Sequence, residues 1–326
     1  MPAIFDNQVI EAADAVAEAR NTDVLMYNAP IDRWYDKKVI SLCENRRRRP
    51  NVILILVTEG GDPNAAYRIG RCLQINYTNV SCYISGFCKS AGTLLALGAH
   101  ELIFSGHGEL GPIDVQMSKK DELWEWQSGL TVTSSLSALN EKAFSAYENF
   151  FLETKYKGRG SITLKTALDV AVKLAVGLYS PIFQQIDPMH VGEAARSISI
   201  ARQYGVRLNR GSHNLKRDTL EILITGFMSH GFVIDFQEAK ELFENVRLED
   251  ERERKLHARL GDRSCIPIDP ESSQPVVIDY VSKEFEETNA SDTQGQSVSE
   301  PTAEPGIGEA LTAAGRGSSG NGTSAD

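Results

Sequence analysis

Positive charge is in short supply in this sequence. Thirty-four Lys and Arg stand against 44 Asp and Glu over 326 residues, a formal net charge of −10. Phosphate recognition needs a basic field, so nucleic acid is not expected as a partner. Cysteine is also scarce. The five residues, Cys43, Cys72, Cys82, Cys88 and Cys265, are odd in number and contain no CxxC pair. They read as reduced thiols rather than a disulfide framework or a zinc site. No apolar run approaches the roughly 20 residues that cross a bilayer, the longest apolar-rich stretch being 91–97. The first twenty residues are acidic and lack the basic-then-apolar pattern of a secretory leader. The expectation is therefore no integral membrane segment and a cytoplasmic location. Several catalytic signatures are missing as well. There is no HExxH around His100, His107, His190, His213 or His257, and no GxSxG or Walker sequence. Residues 106–111 match GxGxxG, but Pro112 follows and no helix does, so a dinucleotide site is not expected. Neither a metal nor a nucleotide cofactor is implied.

What is present is an ordinary apolar fraction, 41%, distributed with clear periodicity. Residues 7–20 and 33–47 repeat apolar positions at helical spacing, with a short strand expected at 24–27. Residues 51–57, NVILILV, form a continuous β-branched run, as in a strand buried on both faces of a parallel sheet. The pattern then alternates: helix at 64–76, strand at 80–85, helix at 90–98, strand at 101–104. Such alternation predicts crossover connections and a layered α/β core. Beyond 118 the pattern is helical, over 137–154, 163–186, 190–204 and 215–228. A short helix is expected at 237–243 and a charged, solvated one at 248–259. From 286 the chain is rich in Ser, Thr, Gly and acids, and reads as a disordered tail.

Two elements in residues 57–116 could carry chemistry. Gly60 and Gly61 end the buried run, where the lack of a Cβ lets backbone N–H groups face solvent and form an oxyanion hole. Ser90 stands at the mouth of the next strand–helix unit, where the helix dipole favours developing negative charge. Parallel strands bring their C-terminal ends to one side of a sheet, so the two elements are expected to face each other. A nucleophile opposite free N–H groups is a minimal acyl-transfer site. The competing reading makes Ser90 a helix N-cap and the glycines a turn. Asp62-Pro63 reads as the start of the helix after the glycines.

The segments TEGGDPNAAYRIGRCL (58–73) and ISGFCKSAGTLLALGAHELIFSGHGELGPIDVQ (84–116) resemble the Clp-protease/crotonase superfamily, and more closely its SppA-like and serine dehydrogenase proteinase families. The resemblance implies an α/β fold with a Clp-protease/crotonase-like spiral core at 22–116 and additional helices. It implies a serine-type peptidase acting on peptide or unfolded protein substrates, usually as a homo-oligomer. Ser90 would be the nucleophile, with oxyanion N–H groups from Gly60, Gly61 and Ala91. The Clp-type histidine some twenty-five residues after the serine is missing, because that stretch reads Gly111-Pro112-Ile113-Asp114-Val115-Gln116. Two substitutes stand open. One is His230, in a segment resembling the serine dehydrogenase proteinases, oriented by Asp114 or Asp235. The other is a Ser–Lys dyad with Lys142, with Lys119 and Lys120 as weaker versions. A non-proteolytic acyl hydrolase and an inactive scaffold are the alternatives. The expected organisation is an N-terminal helix (1–21), a peptidase domain (22–246), a charged helix and extension (247–285) and the tail (286–326).

Overall fold

The computed structural model describes residues 6–113, 116–118, 126–227, 229, 231–268 and 276–280. The expected tail at 286–326 lies outside these residues. The fold is α/β. Helix α1 (Asn7–Arg20) starts at Asp6, whose side chain accepts the Gln8 N–H, and stops at Asn21 in a left-handed cap. Then come β1 (Thr22–Asn28), α2 (Arg33–Asn45), β2 (Asn51–Val57), α3 (Pro63–Asn76) and β3 (Asn79–Ile84). They are followed by β4 (Phe87–Cys88), α4 (Ala91–Ala96), β5 (Glu101–Phe104) and β6 (Glu109–Leu110). The strands β7 (Gln116–Ser118) and β8 (Trp126–Ser128) pair antiparallel. Three long helices come next, α5 (Gly129–Lys157), α6 (Leu164–Phe183) and α7 (Pro188–Ser212). The chain continues through α8 (Thr219–Glu221), α9 (Phe236–Leu242), β9 (Val246–Leu248), α10 (Glu251–Leu260) and β10 (Val276–Tyr280).

Six strands form the main sheet in the order β10-β1-β2-β3-β5-β9. All neighbours are parallel except β10, which runs antiparallel to β1. The continuous apolar run at β2 occupies an interior position, which is why only its first residue is not fully buried. One face of the sheet carries Leu54, Leu56 and Phe104 under Ile69 of α3 and Leu94 of α4. The other carries Ile53, Ile55 and Tyr83 under Val9, Val16, Leu256 and Leu260 of α1 and α10.

A second, short sheet lies at the strand tips. Thr58 bridges Cys88, β4 pairs β6, and Leu110 bridges Ile234. Each successive unit (β2 with Thr58, β3 with β4, β5 with β6) thus gives one strand to the main sheet and a short continuation to the second. This double contribution positions the candidate site.

Two expectations are corrected. The helix expected over 215–228 is broken: among the described residues there, only the single turn α8 and a π-turn at Ile222–Gly226 are helical, because Leu215 pairs with Phe243 instead. Helix α10 is not simply solvated. It buries Leu256, Leu260 and Glu253, the last held by Arg20 at 3.1 Å and Arg247 at 2.6 Å. Helices α1 and α10 pack on the main sheet and β9 and β10 join its edges, all within one compact unit, 1–283. Among the described residues one helix, α6, is long and apolar enough to cross a membrane, by length and composition only.

Candidate active site

The tip of β2 is organised by Thr58, which is fully buried. Its N–H donates to the Phe87 carbonyl at 2.9 Å, and its carbonyl accepts the Lys89 N–H at 3.0 Å. Its hydroxyl donates to the Ala29 carbonyl at 2.8 Å and accepts the Gly60 N–H at 3.1 Å. Thr58 therefore clamps the glycine turn on one side and the serine strand on the other. Nothing in the sequence pattern marked it.

Gly60 and Gly61 have φ of +113° and +138°, a region closed to most side chains. The turn is held by Ile31, whose N–H donates to the Gly60 carbonyl at 2.8 Å and whose carbonyl accepts the Asp62 N–H at 2.7 Å. A Cβ on Gly61 would lie 2.1 Å from the Ile31 oxygen, and one on Gly60 would lie 2.8 Å from the Ser90 Cβ. The two elements singled out in the sequence are thus in direct contact. Asp62 caps α3 by accepting the Asn64 N–H at 2.9 Å.

Ser90 is partly exposed and has φ 51° and ψ −113°. A non-glycine residue held there costs about 1–3 kcal/mol and persists only where its surroundings impose it. Here they do. Lys89 N–H is fixed to Thr58, Gly92 N–H donates to the Lys89 carbonyl at 2.8 Å, and Leu94 N–H to the Ser90 carbonyl at 3.1 Å. The Thr93 hydroxyl donates to the Gly111 carbonyl at 2.7 Å. Ser90 stands at the N-cap position of α4 but makes no side-chain capping bond to it. Among the described residues no acceptor takes the N–H of Gly61 or of Ala91. Both belong to the two loops that meet at Ser90.

Lys89, next to the serine, is 2% exposed. Its Nζ donates to the carbonyls of Leu110 at 3.2 Å and Phe232 at 3.1 Å and pairs with Glu109 at 3.1 Å. With the Leu110–Ile234 bridge, it fastens the segment 231–235 to the serine strand. Nothing in the sequence pattern marked Lys89 as a tether.

His230 and Asp114 lie outside the described residues, as do Lys119 and Lys120. Asp235 caps α9, accepting the Glu238 N–H at 2.9 Å. Lys142 is exposed on α5, and no contact among the described residues joins it to Ser90. His100 is a structural group: its Nδ1 accepts the Val80 N–H at 3.1 Å, and burial lowers its pKa.

No known family model matches this chain, and no curated protein matches it. Among solved structures it is similar to a serine-to-alanine mutant of the 1510-N membrane-bound stomatin-specific protease. That match has 18% sequence identity and a TM-score of 0.28, and covers 46% of this chain and 76% of the other. A likeness of that size carries no argument about residues.

Proposed function

We propose that this chain is a serine-type peptidase of the Clp-protease/crotonase type, acting on peptide or unfolded protein substrates through Ser90. The observation that carries the reading is the enforced backbone of Ser90, without a side-chain capping bond, beside the N–H groups of Gly61 and Ala91, which no acceptor among the described residues takes. Strain at a serine is a feature of nucleophiles presented on a sharp strand-to-helix turn. The double contribution of each unit to two sheets supports the spiral core that the sequence resemblance implies.

In this reading the Ser90 hydroxyl attacks the scissile carbonyl while the proton passes to the base. The Gly61 and Ala91 N–H groups hold the oxyanion, with Gly60 giving the turn its shape. The base is His230, whose neutral imidazole accepts a proton near neutrality. Its support is indirect: Phe232 and Ile234, shortly after it, are bonded to Lys89 and Leu110 at the serine strand. Asp114 would orient it. Lys142 is the rival base and has no such connection. Self-association of the whole chain belongs to the same proposal.

A fluorophosphonate probe tests the nucleophile. The expected result is labelling of the folded wild type and none of Ser90→Ala, with hydrolysis of an unfolded protein lost in parallel. No labelling of folded wild type at any pH sinks the reading. Labelling without peptide hydrolysis leaves an acyl hydrolase. His230→Ala should abolish turnover and Lys142→Ala should keep it; the reverse transfers the base to Lys142.

A further inference from the structure

Outside the serine site, one cluster of titratable side chains is arranged in a line. Glu249, His257 and Cys265 follow β9, sit on α10 and end the 3-10 turn Gly261–Ser264, respectively. His257 Nε2 lies 3.0 Å from Cys265 Sγ, and its Nδ1 lies 3.3 Å from Glu249 Oε2. The imidazole is thus engaged at both nitrogens by partners on opposite sides, so the three groups do not converge on one point as metal ligands would.

The far end of the line is fixed. Glu249 accepts from the Tyr83 hydroxyl and from Arg254 Nε at 3.2 Å, and its N–H donates to the Phe104 carbonyl at 2.8 Å. The Tyr83 ring meets the His257 ring edge-on at 6.1 Å. The cysteine end is fixed as well. Cys265 N–H donates to the Asp262 carbonyl at 3.0 Å, and its carbonyl accepts the Phe87 N–H at 2.9 Å. Its sulfur is 4.0 Å from the Ser264 hydroxyl and 3.8 Å from the Ser85 carbonyl. Cys265 is partly exposed, whereas Cys43, Cys72, Cys82 and Cys88 are buried.

The electrostatics agree with the geometry. The hydrogen bond from His257 holds the Cys265 thiol below its ordinary pKa, and the same bond, helped by Glu249, raises that of His257. Burial acts against both shifts, and Asp262 pushes the thiol back up. By contrast, the Cys82 thiol has no such partner, and burial pushes it up to about 12. A thiolate beside an imidazolium is the arrangement that makes a cysteine a nucleophile.

We propose that Cys265, with His257 and Glu249, is a modification site: a thiolate that attacks small hydroperoxides and carries the resulting sulfenic acid. The sulfur bonds to the terminal oxygen of ROOH as the O–O bond breaks. The sulfur is oxidised by two electrons to Cys–SOH. The leaving alkoxide takes the Nε2 proton of His257 and departs as the alcohol, leaving His257 neutral. Glu249 keeps the ring oriented through Nδ1.

The test uses the full chain. Iodoacetamide alkylation is followed across pH by peptide mass spectrometry, and sulfenic acid formed by hydrogen peroxide is trapped with dimedone. Wild-type Cys265 should reach half its maximal rate below the ordinary thiol midpoint of about 8.5. His257→Gln should restore that midpoint and slow alkylation at pH 6.5 severalfold. Dimedone should mark Cys265 in wild type, much less in His257→Gln, and not at all in Cys265→Ser. Identical pH profiles in wild type and a folded His257→Gln overturn the proposal, as does a wild-type midpoint at or above 8.5, or no dimedone adduct. Should His257→Gln fail to fold, the wild-type profile and Glu249→Gln, expected to lie between the two, decide the matter.

Discussion

The sheet with its tip loops and the helices α5 to α7 use apolar residues in opposite ways. All seven residues of β1 are buried, and so are six of the seven in β2. On α6 only Ala167 and Ala171 are buried, while Leu164, Val170, Val172, Leu174, Val176, Leu178 and Ile182 are exposed. α7 joins the two regions. Its Leu208 packs on Gly70, its Tyr204 stacks on Tyr67 with centroids 4.4 Å apart, and Gln74 Nε2 donates to the Leu208 carbonyl at 2.8 Å. The lesson is that apolar composition means two things in one chain. In the sheet it is the core that fixes the site; on α6 it is an open surface.

Three substitutions sharpen or break this contrast. The largest effect belongs to the tip loops. Gly61→Ala places a Cβ against the Ile31 carbonyl at a φ that alanine rarely adopts. It should displace the Gly61 N–H and lower kcat by about 10²–10³-fold, the usual loss for one oxyanion donor. A peptidase assay reads this, with circular dichroism as the folding control. The next effect is in the core. Leu54→Ala in β2 should destabilise the protein by about 2–5 kcal/mol, read from urea unfolding. The smallest is on the helices. Val176→Ala, at an exposed position, should change stability by less than about 0.5 kcal/mol in the isolated chain. A cost near that of Leu54 would mean that the α6 surface is covered in solution, and the contrast would collapse.

The strand–helix alternation up to residue 104 was readable because each of those elements is decided by local periodicity and punctuation. The run NVILILV reads as an interior strand and Asp62-Pro63 as a helix start, and both form there. The two edge strands were not readable. β9 and β10 are short, and their pairing partners lie more than a hundred residues away. The helix expected over 215–228 failed for a related reason, since helical spacing was overruled by pairing of Leu215 with Phe243. In the site, Ser90, Gly60 and Gly61 stood out from chemistry-bearing residue types placed at strand ends. Thr58 and Lys89 did not, because their roles consist of hydrogen bonds to carbonyls that no residue pattern encodes.

The sequence by itself therefore determined the parallel α/β alternation, the glycine turn and the serine that faces it. Local preference and the geometry of parallel strands suffice for that much. Only the tertiary structure decided that Ser90 is held at positive φ without a side-chain capping bond, and that segment 231–235 is fastened beside it. It alone set His257 between Cys265 and Glu249. These arrangements come from contacts between segments far apart in the chain, formed where the buried sheet leaves each backbone group a single partner.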